Sequence, residues 1–167
     1  SPHTRGAMKL DLDPTSILST WEKFTKRPFG RRIVSKMVGL MAPYTGTIGA
    51  EILDISQGFA RAQIRDRWGL RNHLKSLHAV ALMNLGELTT GLAMMSAVPK
   101  GGRGIVLELQ MQYVKKSRGT ITAEAHATVP EEPGSHDVWV EGELKNATGE
   151  LVARARAKWR LEIPAAS

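Results

Sequence analysis

The strongest constraint on the fold is a long apolar segment in the middle of the chain. Residues 78–97 contain a single charged side chain, Glu87, and apolar residues occur on nearly every side of the helix that they would form. A helix that is apolar all round must be buried on all sides. The rest of the chain therefore has to surround this segment, and two flat layers would not do so.

Six segments with a period of two flank this helix. Apolar and polar residues alternate in each, as in strands that bury one face. Many positions on the predicted inner faces are alanine, which lets a sheet backbone approach a helix closely. We predict an α+β fold in which one antiparallel sheet of about six strands curls around the long central helix. The segments are 48–53, 59–65, 107–113, 121–127, 138–145 and 151–161.

Turn sequences connect the last four of these segments. The stretches at 117–119, 130–135 and 146–150 are rich in Gly, Pro, Asn and Ser, which favour hairpin turns. The sequence therefore predicts three consecutive hairpins.

Two amphipathic helices are predicted before the first strand, over 15–26 and 29–41, with a break at Pro28. Residues 1–13 are interpreted as a leader or expression remnant, 14–43 as a helical extension and 44–163 as the main domain. The basic residues of the second helix are interpreted as a solvated face in preference to a membrane-binding one.

Composition limits the classes of partner. A formal charge of +7 suggests an anionic partner, but aromatic residues are only 5% of the chain, which disfavours nucleic-acid binding. No apolar run is long enough to span a bilayer, and we do not predict membrane binding. The lack of cysteine suits a reducing cytoplasm. The histidines show no metal-ligand spacing, so no metal site is predicted.

Glu87 needs an explanation, because an unpaired buried carboxylate is energetically costly. Helical spacing places it on one stripe with Val80, Asn84 and Gly91. Gly86 and Gly91 lower helix propensity, so we expect another backbone to approach there, and we expect it to come from a second subunit. A purely structural role, with Glu87 paired to Asn84 or an arginine, is the alternative.

The residues around Glu87 resemble a known site. Asn72, His78 and Glu87 follow the pattern N-x5-H-x8-E, which is similar to that of hotdog-fold acyl-CoA thioesterases. The resemblance is to the phenylacetyl-CoA and 4-hydroxybenzoyl-CoA branch, and within it to a less characterised group with an N-terminal helical extension. The resemblance covers about residues 40–162, including strand order and the stretch QYVKKSRGT. The chain departs from the family pattern at Ala79 and Val80, which replace a Gly-Gly pair.

The resemblance implies hydrolysis of a coenzyme A thioester. Glu87 would act as general base or nucleophile, and amide groups near Ala79 and Val80 would form an oxyanion hole. Asn72 would orient the water or the carbonyl, and His78 would be catalytic or structural. No cofactor is implied, since coenzyme A is part of the substrate, and the assembly would be a homodimer or a dimer of dimers. Further predicted substrate contacts are Asn84 and Thr90, with Lys115, Lys116 and Arg118 for the phosphates.

Two other functions stay open on the same fold. A non-catalytic acyl-CoA sensor or carrier is favoured by the missing Gly-Gly pair, whereas the presence of Glu87 favours an enzyme. A hydratase or dehydratase would need a catalytic histidine with a differently spaced acid, so the spacing found here argues against it.

Overall fold

The computed structural model describes residues 13–166. The predicted leader, apart from residue 13, lies outside the described residues. The elements follow the predicted order of helices, two strands, one long helix and four strands. The helices are α1 (Ile17–Thr25), α2 (Gly30–Met41), α3 (Pro43–Gly46) and α4 (Ala79–Met95), and 3₁₀ turns cover Pro14–Ser16 and Trp68–Leu70. The strands are β1 (Glu51–Ser56), β2 (Phe59–Ile64), β3 (Arg103–Tyr113), β4 (Ile121–His126), β5 (Gly134–Lys145) and β6 (Leu151–Ile163).

The six strands form one antiparallel sheet in the order β1-β2-β4-β5-β6-β3. The predicted α+β architecture is confirmed, and so are the β4–β5 and β5–β6 hairpins. The hairpin predicted at 117–119, between β3 and β4, is wrong, because β3 pairs with β6 and not with β4. The connection after β3 is instead held at the start of α4. The Ser117 carbonyl accepts the Leu77 N–H at 2.8 Å, and the Gly119 N–H donates to Asp66 at 3.0 Å.

Alanines line the inner face of the sheet, as predicted, and allow it to pack closely on α4. Leu85, in the middle of the helix, is fully buried. At Gly86 an added Cβ would lie 2.7 Å from Cβ of Ala155, and at Gly91 it would lie 3.2 Å from the Trp159 ring. The expectation that a second subunit approaches these glycines is therefore wrong, because the chain's own strand β6 occupies that space. The buried sheet alanines are Ala60, Ala62, Ala123, Ala125, Ala153, Ala155 and Ala157.

Helix α2 attaches the helical extension to the sheet. Val34 is fully buried, and the Ser35 hydroxyl accepts the Ile52 N–H of β1 at 2.8 Å. The basic residues of this segment are exposed, as expected for a solvated face; they are Lys26, Arg27, Arg31, Arg32 and Lys36. Helices α1 to α3 thereby form a layer over one side of α4.

Strand β3 is half-buried only in part: Leu109 and Met111 pack against the core, but other apolar residues of the strand are exposed. Ile105, Leu107 and Tyr113 are 61%, 38% and 46% exposed, on a strand that, within residues 13–166, pairs with β6 alone. An exposed apolar edge of this length is a template for pairing with another strand. The alternation in its sequence therefore corresponds to a partly buried face at Leu109 and Met111, whereas Leu107 and Tyr113, on the same predicted face, are left exposed.

Candidate active site

The first half of the candidate site is the N-terminus of α4. His78 is the N-cap, and its Nδ1 accepts the Val80 N–H at 3.1 Å. The proton of a neutral His78 ring is consequently on Nε2. Within the described part of the chain, the Ala79 N–H has no acceptor. Of the two amides predicted to bind an oxyanion, that of Val80 is thus already engaged and that of Ala79 is available.

Asn72 organises the loop before α4. Its Oδ1 accepts the backbone N–H groups of Leu74 at 2.9 Å and Ser76 at 3.2 Å. Its backbone N–H donates to the Ser76 carbonyl at 2.8 Å. Lys75 has a φ of 59°, a left-handed conformation that the loop bonds stabilise. The Asn72 oxygen is used by the loop, so this side chain can meet a ligand through its Nδ2 protons.

Asn72 and Ala79 border a common cavity, here called the helix-start cavity, of about 350 Å³. Tyr113, at the end of β3, also borders it, and its hydroxyl donates to the Ala79 carbonyl at 2.7 Å. Sequence reasoning assigned Tyr113 only to a strand face and missed this contact. The one feature of the sequence that could have indicated this contact is the position of the tyrosine, at the last residue of a predicted strand.

Three basic residues were predicted near this end of the sheet. Lys115 and Lys116 border the helix-start cavity, whereas Arg118 is exposed outside its lining. Lys115 is ion-paired with Glu150, which lowers the pKa of that carboxyl. Among the described residues, Lys116 and Arg118 form no ion pair. Lys116 is thus the better placed of the three to bind a phosphate at this cavity.

The second half of the candidate site is Glu87. Its side chain lines a separate cavity of about 380 Å³ between α4 and the helices α1 to α3, here called the helix-extension cavity. Within the described residues, its carboxylate has neither a hydrogen bond nor an ion pair. Burial raises the pKa of Glu87 above its ordinary value, because the charged form loses hydration without gaining a partner.

Two predicted substrate contacts lie elsewhere. Thr90 is fully buried against the sheet, and its hydroxyl donates to the carbonyls of Gly86 at 2.9 Å and Glu87 at 3.1 Å. Asn84 is buried, and its Nδ2 is 3.4 Å from the Tyr44 carbonyl of α3. Both side chains satisfy the protein's own backbone, and neither lines one of the two cavities.

The two halves are far apart within one chain. Ala79 and Glu87 are eight positions apart on α4, which corresponds to about 12 Å along the helix axis at 1.5 Å per residue. A water held by Glu87 could not attack a carbonyl held at Ala79 of the same chain. The candidate site is therefore divided within the chain into two separate parts, here called half-sites: the start of α4 and Glu87.

No cluster of three or more metal-ligating side chains occurs among residues 13–166. In that same stretch, no helix combines the length and apolarity needed to cross a membrane.

A family model described as a domain of unknown function, DUF4442, matches residues 30–161. No curated protein matches the chain. The match covers α2 to β6 and so includes both half-sites.

Solved structures share the fold over most of the chain. A structural-genomics protein has 23% identity and a TM-score of 0.74, over 89% of this chain and 97% of its own. A Pseudomonas aeruginosa protein of unknown function, described as a probable thioesterase, has 24% identity and a TM-score of 0.65, over 72% of this chain and 87% of its own. A Haemophilus influenzae thioesterase has 17% identity and a TM-score of 0.67, over 81% of this chain and 92% of its own. At these identities the likeness establishes the fold.

Proposed function

Since the chain belongs to the DUF4442 family and has the hotdog fold of proteins named as thioesterases, we propose that it hydrolyses an acyl-CoA thioester. The observation that carries the proposal is Glu87. Its carboxylate is part-buried and has no hydrogen-bond partner among the described residues, so pairing with another protein group does not account for its presence. Glu87 instead faces an apolar cavity, where a raised pKa makes it a stronger base.

The proposed reaction uses one group from each half-site. The thioester oxygen accepts the Ala79 N–H, which is favourably oriented at the positive end of the helix dipole. Glu87 takes a proton from water, and the hydroxide adds to the carbonyl carbon. The tetrahedral intermediate then breaks its C–S bond, and the proton passes to the thiolate. The products are a free acid and coenzyme A. Direct attack by the Glu87 carboxylate, followed by hydrolysis of the anhydride, would give the same products.

The two groups would come from different subunits of a homodimer. The exposed apolar edge of β3 supports pairing with β3 of a second copy. Tyr113, at the end of β3, is hydrogen-bonded to Ala79. Gly104, at the start of β3, lines the helix-extension cavity together with Glu87. Antiparallel pairing about a twofold axis sets the end of one β3 beside the start of the other. Each Glu87 cavity would thus face the helix start of the partner subunit.

The coenzyme A phosphates are proposed to bind near the helix-start cavity. Lys116 and Arg118 are exposed and free of ion pairs within the described residues, so they are the main candidates. Lys115 would contribute less, because Glu150 already neutralises it.

One observation favours the non-catalytic alternative. The Val80 N–H is bonded to His78, so only one of the two predicted oxyanion donors, that of Ala79, is free among the described residues. A site with a weak oxyanion hole would bind an acyl-CoA and release it unchanged, as a sensor or carrier does.

The proposal is tested by thiol release from a panel of acyl-CoAs, short to long and aryl, with the wild type and Glu87→Gln. We expect the wild type to release thiol and the variant to be slower by about 10²–10⁴-fold. Binding, measured on the same preparation, should be retained, and the melting temperature should hold or rise, because a neutral amide costs less to bury than a carboxylate. A folded Glu87→Gln variant with wild-type turnover would exclude a catalytic role for Glu87. Binding by the wild type without any thiol release would favour the sensor.

A further inference from the structure

The helix-extension cavity has the composition of a site for a flexible apolar chain. From α2 it is lined by Val34, Met37 and Val38, and from α4 by Leu88 and Leu92, with further residues of α1 and α3. Its described lining contains no aromatic side chain that could stack on an aryl group. Methionine side chains adapt to variable apolar shapes.

We propose that this cavity holds the acyl chain of the substrate, and that the substrate carries an unbranched aliphatic acyl group of about eight to twelve carbons. The inference rests on the proposed thioesterase function and adds its substrate class. Glu87 lies on the cavity wall, so a chain that occupies the cavity leaves its thioester carbon close to the carboxylate.

The length of the cavity sets one limit on the chain. Glu87, Gly91 and Met95 line it at successive turns of α4, over about 12 Å at 1.5 Å per residue. Asp13 lies at the Met95 end, where its carboxylate accepts the Gly101 N–H at 3.2 Å. A fully extended polypeptide backbone advances about 3.6 Å per residue, that is, over three bonds. An extended acyl chain therefore advances roughly 1.2 Å per bond. About ten carbons would therefore reach from Glu87 to the charged end.

The volume of the cavity agrees with this length. A methylene group is about as large as a water molecule, whose share of liquid volume is roughly 30 Å³. The cavity of about 380 Å³ therefore holds a chain of the order of twelve carbons. Hydrogen bonds that lower the pKa of Asp13 keep its carboxyl ionised, so a longer chain would meet a charge.

The wild type should show a chain-length profile with a limit. Affinity for non-hydrolysable thioether analogues of acyl-CoA should rise by up to about fourfold per added methylene and level off at about ten to twelve carbons. Calorimetry measures this without turnover. A profile that is flat from four carbons upward, or that rises steadily to eighteen, would overturn the inference.

Val38→Phe tests the location. The larger side chain should reduce the ratio of decyl to butyl analogue affinity by more than tenfold. Ile33→Phe is the matched control, because Ile33 is on the same helix, is 41% exposed and does not line the cavity. Met41→Phe, at a more exposed lining position, replaces Val38→Phe if that variant does not fold. Unchanged ratios in a folded lining variant would place the acyl chain elsewhere.

The two proposals fail differently. Binding of the decyl analogue with the expected profile, but no hydrolysis of decanoyl-CoA, would refute the thioesterase and retain the acyl site. Hydrolysis whose chain-length preference is unaffected by Val38→Phe and Met41→Phe would refute the acyl site and retain the thioesterase.

Discussion

Gly86→Ala should destabilise the protein, although glycine-to-alanine substitutions in helices usually stabilise. The helix gains about 1 kcal/mol in propensity. The new Cβ would lie 2.7 Å from Cβ of Ala155, which is fixed to the β6 backbone and cannot rotate away. Overpacking of this kind costs about 1–3 kcal/mol. The net loss is about 1 kcal/mol, which lowers the melting temperature by about 2–4 °C in a chain of this size.

Thermal unfolding of four variants tests this packing: Gly86→Ala, Gly91→Ala, Ala155→Gly and the double variant Gly86→Ala/Ala155→Gly. Gly91→Ala is the control, because its Cβ would be 3.2 Å from the edge of the Trp159 ring, which can shift slightly. We expect Gly91→Ala to be closer to neutral. Adding Ala155→Gly to Gly86→Ala should show favourable coupling of at least about 0.5 kcal/mol. A higher melting temperature for Gly86→Ala would mean that β6 does not approach α4 there.

Three further predictions concern the half-sites. Asn72→Asp keeps both loop hydrogen bonds but loses the Nδ2 protons, so turnover should fall while the melting temperature is unchanged. Asn72→Ala also loses the loop hydrogen bonds and should be less stable by about 1–2 kcal/mol. Equal turnover in Asn72→Asp and the wild type would contradict a contact between Asn72 and the substrate. Reversing the charge of Lys116 or of Arg118 should raise KM at low salt more than reversing that of Lys115, and this difference should be smaller at high salt. Equal KM values for the three charge-reversal variants would refute the phosphate assignment. Because burial raises the pKa of Glu87 above 4.5, wild-type stability should fall as pH rises from 4.5 through the folded-state pKa. Glu87→Gln should therefore melt higher than the wild type above that window and approach it near pH 4.5, and a constant difference across pH would contradict the burial of an ionised Glu87.

Sequence periodicity predicted the elements but not all of their neighbours. The α4 segment and the alternating strands are visible in the sequence because burial imposes a local period on each. The pairing of β3 with β6 depends on where the connection after β3 is held, through Ser117 and Gly119, and no local pattern records that. Likewise, the glycines of α4 indicate a close neighbour, but the sequence does not distinguish strand β6 from a second subunit.

The candidate site was predictable to a similar extent. The spacing of Asn72, His78 and Glu87 directed attention to α4 and the loop before it, and the structure adds that His78 caps the helix and that Asn72 holds its loop. Thr90 shares the helix with Glu87 but points to the core, where its hydroxyl bonds the backbone. The helix-extension cavity could not be predicted, because it depends on how α1 to α3 pack on α4.

Ala79→Pro removes the proposed oxyanion donor with little effect on the fold. Proline is well tolerated at the first position of a helix. His78 has φ −65° and ψ 139°, the extended conformation required before proline, and within the described residues the Ala79 N–H makes no hydrogen bond that would be lost. Thiol release should fall by about 10²–10³-fold in this variant.

The most direct test of a shared site is to mix Ala79→Pro with Glu87→Gln subunits. Each mixed dimer would contain one intact site, with Glu87 from one chain and Ala79 of the partner subunit, and one doubly altered site. After subunit exchange, half of the dimers are mixed, so thiol release should recover to about a quarter of the wild-type rate. No recovery in a population shown by mass spectrometry to contain mixed dimers would contradict catalysis by Glu87 at the helix start of the partner subunit.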